Sequence, residues 1–191
     1  DTTKGPIKTK NLGIVVAGNS SVMADKAGFR LPIESVSLQA LVSEPVKPCM
    51  DVVVMANTVH GYMSQSDKGE MVIGGGTDGF NNYTQRGSFH HIEETVRALI
   101  ETFPIISRLK MLRQWGGIVD VTGDRSPIIS KTPLSGCYIN CGWGTGGFKA
   151  IPGSGWAMAE TMANGIPGQL ASAFSLDRFR EGRFIDESVA A

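Results

Sequence analysis

The chain has 191 residues, with 18 Lys and Arg against 18 Asp and Glu and a formal net charge of zero. That length suits one ordinary domain or two small ones with a sizeable buried core. The charge balance argues against a nucleic acid or a membrane surface held by bulk charge, and no apolar run approaches the roughly 20 residues that span a bilayer.

Residues 1–10 carry no apolar signal core, which reads most simply as a soluble, cytoplasmic protein. The chain does not begin with Met, so it is either a trimmed chain or a piece of a longer one. Cys49, Cys137 and Cys141 fit no metal spacing and no disulfide framework, and are read as buried structural thiols of a reducing compartment. Cys137 and Cys141, four positions apart on a predicted strand, point the same way.

In chain order, residues 12–17 form a continuous apolar run before Gly18 and Asn19, the pattern of a strand buried on both faces. Ser20 or Ser21 then caps a short helix that runs to Ala27 and stops at Gly28. From Leu31 the period changes. Residues 35–42 alternate, Pro45 and Pro48 interrupt, and apolar stretches follow at 52–55, 61–64 and 70–73, the last closing into Gly74, Gly75 and Gly76. Short strands at this spacing indicate an antiparallel sheet, with one covered face and one wet face able to wall a pocket.

Ser88 precedes a helix whose apolar face is Ile92, Val96, Leu99, Ile100 and Phe103, and Pro104 stops it or starts a short second turn. Glu93, Glu94, Arg97 and Glu101 form its solvated side, and His90 and His91 in the first turn receive no role. Residues 110–122 read as one long strand, with Gly116 and Gly117 as a bulge or a close backbone approach. Gly123 and Asp124 turn the chain into residues 126–130, and it crosses back through Pro133 and Gly136 into a strand at 137–141. A helix over residues 154–164 stops at Gly165. After Pro167, Phe174, Leu176 and Phe179 anchor a terminal extension whose residues 186–191 fray.

Gly142, Gly144, Gly146 and Gly147 crowd the end of the strand at 137–141, and Lys149 follows. Bare backbone N–H groups in such a loop can come close to a ligand. Gly142, Gly144 and Gly147 match the G-x-G-x-x-G spacing, but the dinucleotide fingerprint needs a helix that opens at those glycines, and the predicted helix starts only at Ser154. A Walker-type phosphate loop needs Ser or Thr after its Gly-Lys pair, whereas Phe148 precedes Lys149 here and Ala150 follows it. No His, Cys or carboxylate cluster has ligand spacing, so no metal is expected.

The segment from Gly142 to Lys149, preceded by Trp115, Gly116, Gly117, Ile118, Val119 and Asp120 and by Asp124, Arg125, Ser126 and Pro127, resembles a known family. It is similar to the carboxy-terminal half of the flavin-dependent amine oxidases of the glycine and D-amino acid oxidase superfamily, and within it to the heterotetrameric sarcosine oxidase beta subunits. The resemblance covers essentially the whole chain, with several spaced blocks in order. It favours a piece of a longer protein, because the family's flavin-binding G-x-G-x-x-G stands at an extreme amino terminus with no counterpart near Asp1.

The fold implied is mixed α+β and α/β, an antiparallel-sheet substrate domain joined to the carboxy-terminal part of an FAD/NAD(P)-binding-type domain. Residues 1–30 would be part of the FAD-binding domain, 31–133 the substrate domain, and 134–191 the return to the FAD-binding domain with an extension. The activity implied is FAD-dependent oxidation of a secondary amino acid by hydride transfer, sarcosine giving glycine and a one-carbon unit. A related dimethylglycine dehydrogenase, a D-amino acid oxidase and a noncatalytic binding or assembly module stand as alternatives. The 191 residues alone are expected to retain little or no FAD.

By the same resemblance, Lys149 pairs with the substrate carboxylate near the flavin, and Gly144, Thr145, Gly146, Gly147 and Phe148 line the cofactor. Gly116, Gly117 and Ile118 lie where a strand meets the flavin ring. Some members link flavin through a cysteine at the position of Gly117, so covalent attachment there is excluded. Val119 stands where monomeric relatives carry an aromatic. Ala17, Gly18 and Asn19 are either flavin-side residues or an ordinary helix start. Tyr62 either sits over the substrate or is a half-buried structural tyrosine. His60 shares its face and either tunes the amine's protonation or is structural. The family also holds FMN on a histidine whose position falls ahead of Asp1, so none of the 3 histidines inherits that role. The partners implied are a small amino acid, other subunits of a hetero-oligomer and the missing amino-terminal half, with no nucleic acid and no membrane.

Overall fold

In the computed structural model, which describes residues 2–56, 58 and 61–185, the elements follow one another as β1 (Leu12–Ile14), α1 (Ser20–Lys26), β2 (Ile33–Pro45), β3 (Val54–Ala56), β4 (Gly61–Gln65), β5 (Glu70–Thr77), α2 (Phe89–Ile100), β6 (Met111–Thr122), β7 (Ile128–Lys131), β8 (Cys137–Cys141), α3 (Gly147–Asn164) and α4 (Asp177–Glu181). They make two units. One contains Asp1–Ser35 and Val119–Ala191, the other Val36–Ile118.

The first unit is built on β8, which pairs in parallel with β1 and antiparallel with β7. Strand alternation sends Cys137, Ile139 and Cys141 to one face, where Ile14, Ile128 and Ala24 of α1 meet them. Tyr138 goes to the other face and meets Ile129 with Ala157 and Met158 of α3. Helices therefore cover both faces of a central strand that is buried throughout. Full burial of an isoleucine such as Ile139 contributes about 1.5–3 kcal/mol.

Four expectations need correction. The apolar run at 12–17 is not buried on both faces: Ile14 is buried, while Leu12 at the start of β1 and Val15 and Val16 beyond its end are exposed, and among the described residues β1 has a strand neighbour on one side only. Neither serine caps α1. The Ser20 hydroxyl donates to the Ala17 carbonyl at 2.6 Å, and Asn19 at the cap position makes no side-chain cap bond. The third correction concerns α3, which begins at Gly147 rather than Ser154 and holds Pro152 inside it. A proline in a helix interior forfeits a hydrogen bond and costs about 3 kcal/mol. The helix continues because Ala157, Met158 and Thr161 are buried, with α3 packed on β7 and β8. Its stop at Gly165, left-handed at φ 70°, is the predicted one.

Cys137 and Cys141 are free thiols in one core, as their spacing predicts, but Cys49 is exposed. It follows Pro48 in the connection between β2 and β3, outside any sheet.

The second unit carries the antiparallel sheet, in the order β3-β4-β5-β2-β6. β6 is one continuous strand through Gly116 and Gly117. Ser88 caps α2, accepting the His91 N–H at 3.4 Å. The predicted face of α2 packs as expected: Leu99 with Ile92, Val96 and Ile100 joins Leu41, Met63, Met71 and Ile73.

Met63 faces α2, so its neighbour Tyr62 turns to the opposite face. There the ring lies on Gly74, its cross-strand partner, and a methyl at Gly74 would stand 2.4 Å from the Tyr62 hydroxyl oxygen. Gly74→Ala is expected to displace the ring and cost about 1–3 kcal/mol. The double variant Gly74→Ala with Tyr62→Ala should lose less than the two single losses summed, a coupling read from four thermal melts. Additive losses would place the ring elsewhere.

Candidate functional site

Two turns lie side by side at the carboxy ends of the parallel pair. β1 leads into a 3-10 turn at Ala17–Asn19 and then α1. β8 leads through Gly142 into a 3-10 turn at Gly144–Gly146 and then α3. The first turn packs against β8. Ligands of open α/β sheets bind at this end of the strands, where both turns bring N–H groups and helix amino termini to one edge. Gly18 is buried in the first turn and its carbonyl accepts from Ser35 Oγ at 3.0 Å, while Ala17 holds a positive φ of 46°. The buried Ser21 hydroxyl, in the first turn of α1, has no hydrogen-bond partner.

The glycine loop is held from several sides. Gly142 has φ 77°, and a side chain there would come within 2.7 Å of Thr122 Cγ2. Its N–H donates to the buried Asp120 carboxylate. Val121 and Trp143 form a backbone bridge. The Trp143 indole donates to Asn140 Oδ1 at 2.6 Å, and the Asn140 amide donates to the Ser154 carbonyl at 3.3 Å.

α3 then opens with Gly146 at its cap position, no side-chain cap and no acid in the first turn. Its first N–H groups therefore lack side-chain partners, and the positive end of its dipole is bare. Lys149, the third helical residue, is exposed there, as are Thr145 and Phe148. A cation at a helix amino terminus opposes the dipole by about 0.3–1 kcal/mol, a cost that a bound anion offsets. Lys149 also lines a cleft of about 280 Å³ with Trp143, Ala157, Leu170 and Phe174. The strand, glycine turn and helix that the G-x-G-x-x-G spacing requires are thus in place. Among the described residues no strand follows α3 to complete a βαβ unit.

The other candidates belong to the second unit. Tyr62 is half-buried, and burial pushes its phenol up. Gly116 backs onto Ser37, whose Oγ would stand 2.4 Å from any Cβ there, and that buried hydroxyl has no partner. Gly117 opens onto free space, and Ile118 is partly buried. His60, and the terminal residues 186–191, lie outside the described residues.

Sequence reasoning passed over three polar clusters. His91 is buried, with Nε2 2.7 Å from Asp78 Oδ1; Asp78 also accepts from Gln39 at 3.1 Å and from Asn82 at 2.7 Å, which fixes the loop before α2. Arg178 is buried and grips Asp124 with Nε at 2.7 Å and Nη2 at 2.9 Å. Burial pushes the Asp124 carboxyl up, but the Arg178 bonds, the Ile185 and Ser126 N–H groups and the Arg178 charge together outweigh it and hold it at about 2. Asp120 is the third, and desolvation holds its carboxyl above the usual range despite the Gly142 N–H. One visible signal was available for it: a lone acid between Val119 and Val121 in an otherwise apolar strand end.

Among the described residues no group of His, Cys, Asp and Glu could hold a metal, and no helix is long and apolar enough to cross a membrane. Backbone N–H groups without side-chain partners, an unpartnered hydroxyl and one cation form a donor set that fits an acceptor-rich, anionic ligand.

A family profile described as FAD dependent oxidoreductase matches residues 1–161. The chain is similar to sarcosine oxidase subunit beta of Rhodobacter capsulatus, 76% identical over 191 residues, which is all of this chain and 46% of that protein. It is also similar to sarcosine oxidase subunit beta of an Arthrobacter species, 54% identical over 190 residues and 47% of that protein. The chain thus spans about half the length of the curated relatives it matches. Among solved structures, L-proline dehydrogenase from P. horikoshii aligns with a TM-score of 0.84 and 26% identity over 94% of this chain and 50% of that one. Glycine oxidase from Geobacillus kaustophilus shares the fold, with a TM-score of 0.79 and 20% identity over 93% of this chain and 48% of that one.

Proposed function

We propose, since this chain belongs to the FAD dependent oxidoreductase family, that it is the part of a flavin amine oxidase that binds the carboxylate of a small secondary amino acid, sarcosine first among them. The observation that carries this reading is Lys149, an exposed cation in the first turn of a helix with no cap and no acid. That placement is unfavourable by itself and favourable once an anion is bound. Bound FAD supplies the acceptor for the hydride that leaves the substrate's carbon–hydrogen bond.

The chain's own residues do the positioning. Lys149 pairs with the carboxylate and so orients the amine. Gly144, Thr145, Gly146, Gly147 and Phe148 offer N–H donors to the cofactor's acceptor edge, with Gly18 on the neighbouring turn. Gly117 and Ile118 lie on the strand that meets the cofactor ring, with Gly117 free of a side chain there. Tyr62, whose phenol burial pushes up, donates a hydrogen bond at the substrate. His60 tunes the amine's protonation. The oxidised substrate takes up water to give glycine and a one-carbon unit. The unit of residues 1–35 and 119–191 belongs to the FAD-binding domain and that of residues 36–118 to the substrate domain; the remaining half of the protein completes the FAD site. Further subunits join in the whole assembly, as the relatives' name "subunit beta" supports, and an FMN is carried elsewhere in that assembly.

The likeness to an L-proline dehydrogenase supports a second reading, in which another secondary amine is oxidised. Anaerobic flavin bleaching in the complete protein separates the two. Fastest bleaching with sarcosine, against N,N-dimethylglycine, L-proline and D-alanine, is the expected result. Fastest bleaching with another member moves the substrate assignment, and bleaching with none rejects the oxidase.

A further inference from the structure

We propose that Asp120 is a positioning residue for the cofactor-facing loop: by accepting the Gly142 N–H, its carboxylate fixes the turn that carries residues 144–149 while leaving the amino terminus of α3 free to receive a ligand. The proposal rests on the reading above that this loop holds FAD, and adds the group that shapes it.

Asp120 is 2% exposed, and among the described residues no cation pairs with it. A polar acceptor in such a place is costly unless it is hydrogen-bonded. Its side-chain bond goes to Gly142, the first glycine of the loop. Three further contacts converge on the same few residues. Val121 bridges Trp143, Thr122 blocks the space beside Gly142, and the Asp120 carbonyl lies 4.0 Å from where a Cβ of Gly144 would be. The end of β6 is therefore a template on which the loop is moulded, and Asp120 is its polar contact.

The position of the accepting oxygen is what distinguishes it. A carboxylate that stabilises a helix start ordinarily sits at the cap or in the first turn, where it consumes the free N–H groups. Asp120 acts upstream, at Gly142, before the helix begins at Gly147. The turn is held, and the first-turn N–H groups keep no side-chain partner.

The test compares Asp120→Ala and Asp120→Asn in the complete protein. Two readouts apply: FAD retained per subunit after gel filtration, and hydrogen exchange of the amides at residues 142–148. Losing a charge-assisted hydrogen bond should cost Asp120→Ala about tenfold or more in FAD affinity and speed exchange at these amides by a similar factor. Asp120→Asn keeps an acceptor oxygen and should restore both to within about threefold. An Ala variant with native FAD content and native exchange overturns the proposal, and so does one that only melts earlier. An Asn variant as impaired as Ala overturns it too, because charge and not acceptance would then be at work. If the Ala variant does not fold, the Asn variant decides alone: near-native values support the proposal and a tenfold loss overturns it. Neither readout involves the amine. A protein that bleaches with no amine yet loses FAD on Asp120→Ala refutes the oxidase reading and keeps this one.

Discussion

Replacing Lys149 by Met in the complete protein is expected to slow flavin reduction by subsaturating sarcosine about 10- to 100-fold. A hydrogen bond to a charged group contributes about 1.5–3 kcal/mol, and each 1.4 kcal/mol is tenfold. Met keeps the length and helix propensity of the stem and removes only the cation. Part of the loss should fall on the apparent affinity for the amine, since the carboxylate contact exists before the reaction, and part on the limiting reduction rate, since orientation is lost with it. FAD content should hardly change. The effect on folding has the opposite sign: Lys149 is the third residue of α3 and opposes its dipole, so the variant should melt at the same temperature or slightly higher. A lysine kept for stability would show the reverse pattern, with a lower melting temperature and intact reduction. Anaerobic rapid mixing measures the rates, and a change smaller than twofold removes Lys149 from the site.

What could be read from the sequence follows from where the determining contacts lie along the chain. The face of α2 was legible because Ile92, Val96, Leu99 and Ile100 declare themselves within one helix and meet a single core. The glycines of β6 and of the Gly142 loop were legible because a missing side chain is itself the signal of close backbone approach. The start of α3 was misread for a converse reason. Pro152, Gly153 and Gly155 oppose a helix locally, and the burial of Ala157, Met158 and Thr161 that overrides them depends on sheet residues distant in sequence. The polar partners were hidden altogether. Asp120 meets Gly142 across 22 residues and Arg178 meets Asp124 across 54, and no local pattern pairs them. The apolar run at Leu12 shows a further limit: hydrophobicity marks a residue for burial without saying what covers it, and Leu12 and Val15 are exposed beside buried Ile14.

Arg178→Ala is expected to produce the largest loss of stability. The guanidinium is 2% exposed and makes four bonds: two to Asp124, one to the Ser126 carbonyl at 2.8 Å and one to the Ser175 carbonyl at 3.0 Å. Truncation strands the Asp124 carboxylate in an interior with no cation, and breaking a buried pair in this way costs about 3–5 kcal/mol. That is a large share of the 5–15 kcal/mol that typically separates folded from unfolded chains, so the melting temperature should fall by several degrees or more. Phe179 and Leu176, which pack on the Ile128 and Ile139 core, should loosen with it. Removing both charges, as Asp124→Asn with Arg178→Met, leaves no stranded ion and should recover much of the loss.

The sign of the pH dependence gives a second check. Asp124 sits at about 2 in the folded chain against 3.8 unperturbed, so its stabilisation is complete above roughly pH 5 and drains away as pH falls through 4 towards 2. The shift corresponds to about 2–3 kcal/mol. Urea midpoints at pH 7 and pH 3 should therefore move less in Arg178→Ala than in the native chain, since the variant has already lost the partner that holds the carboxyl down. Equal movement in both proteins, or a variant that melts within a degree of the native chain, would mean that the ion pair is not what fastens α4 to the turn after β6.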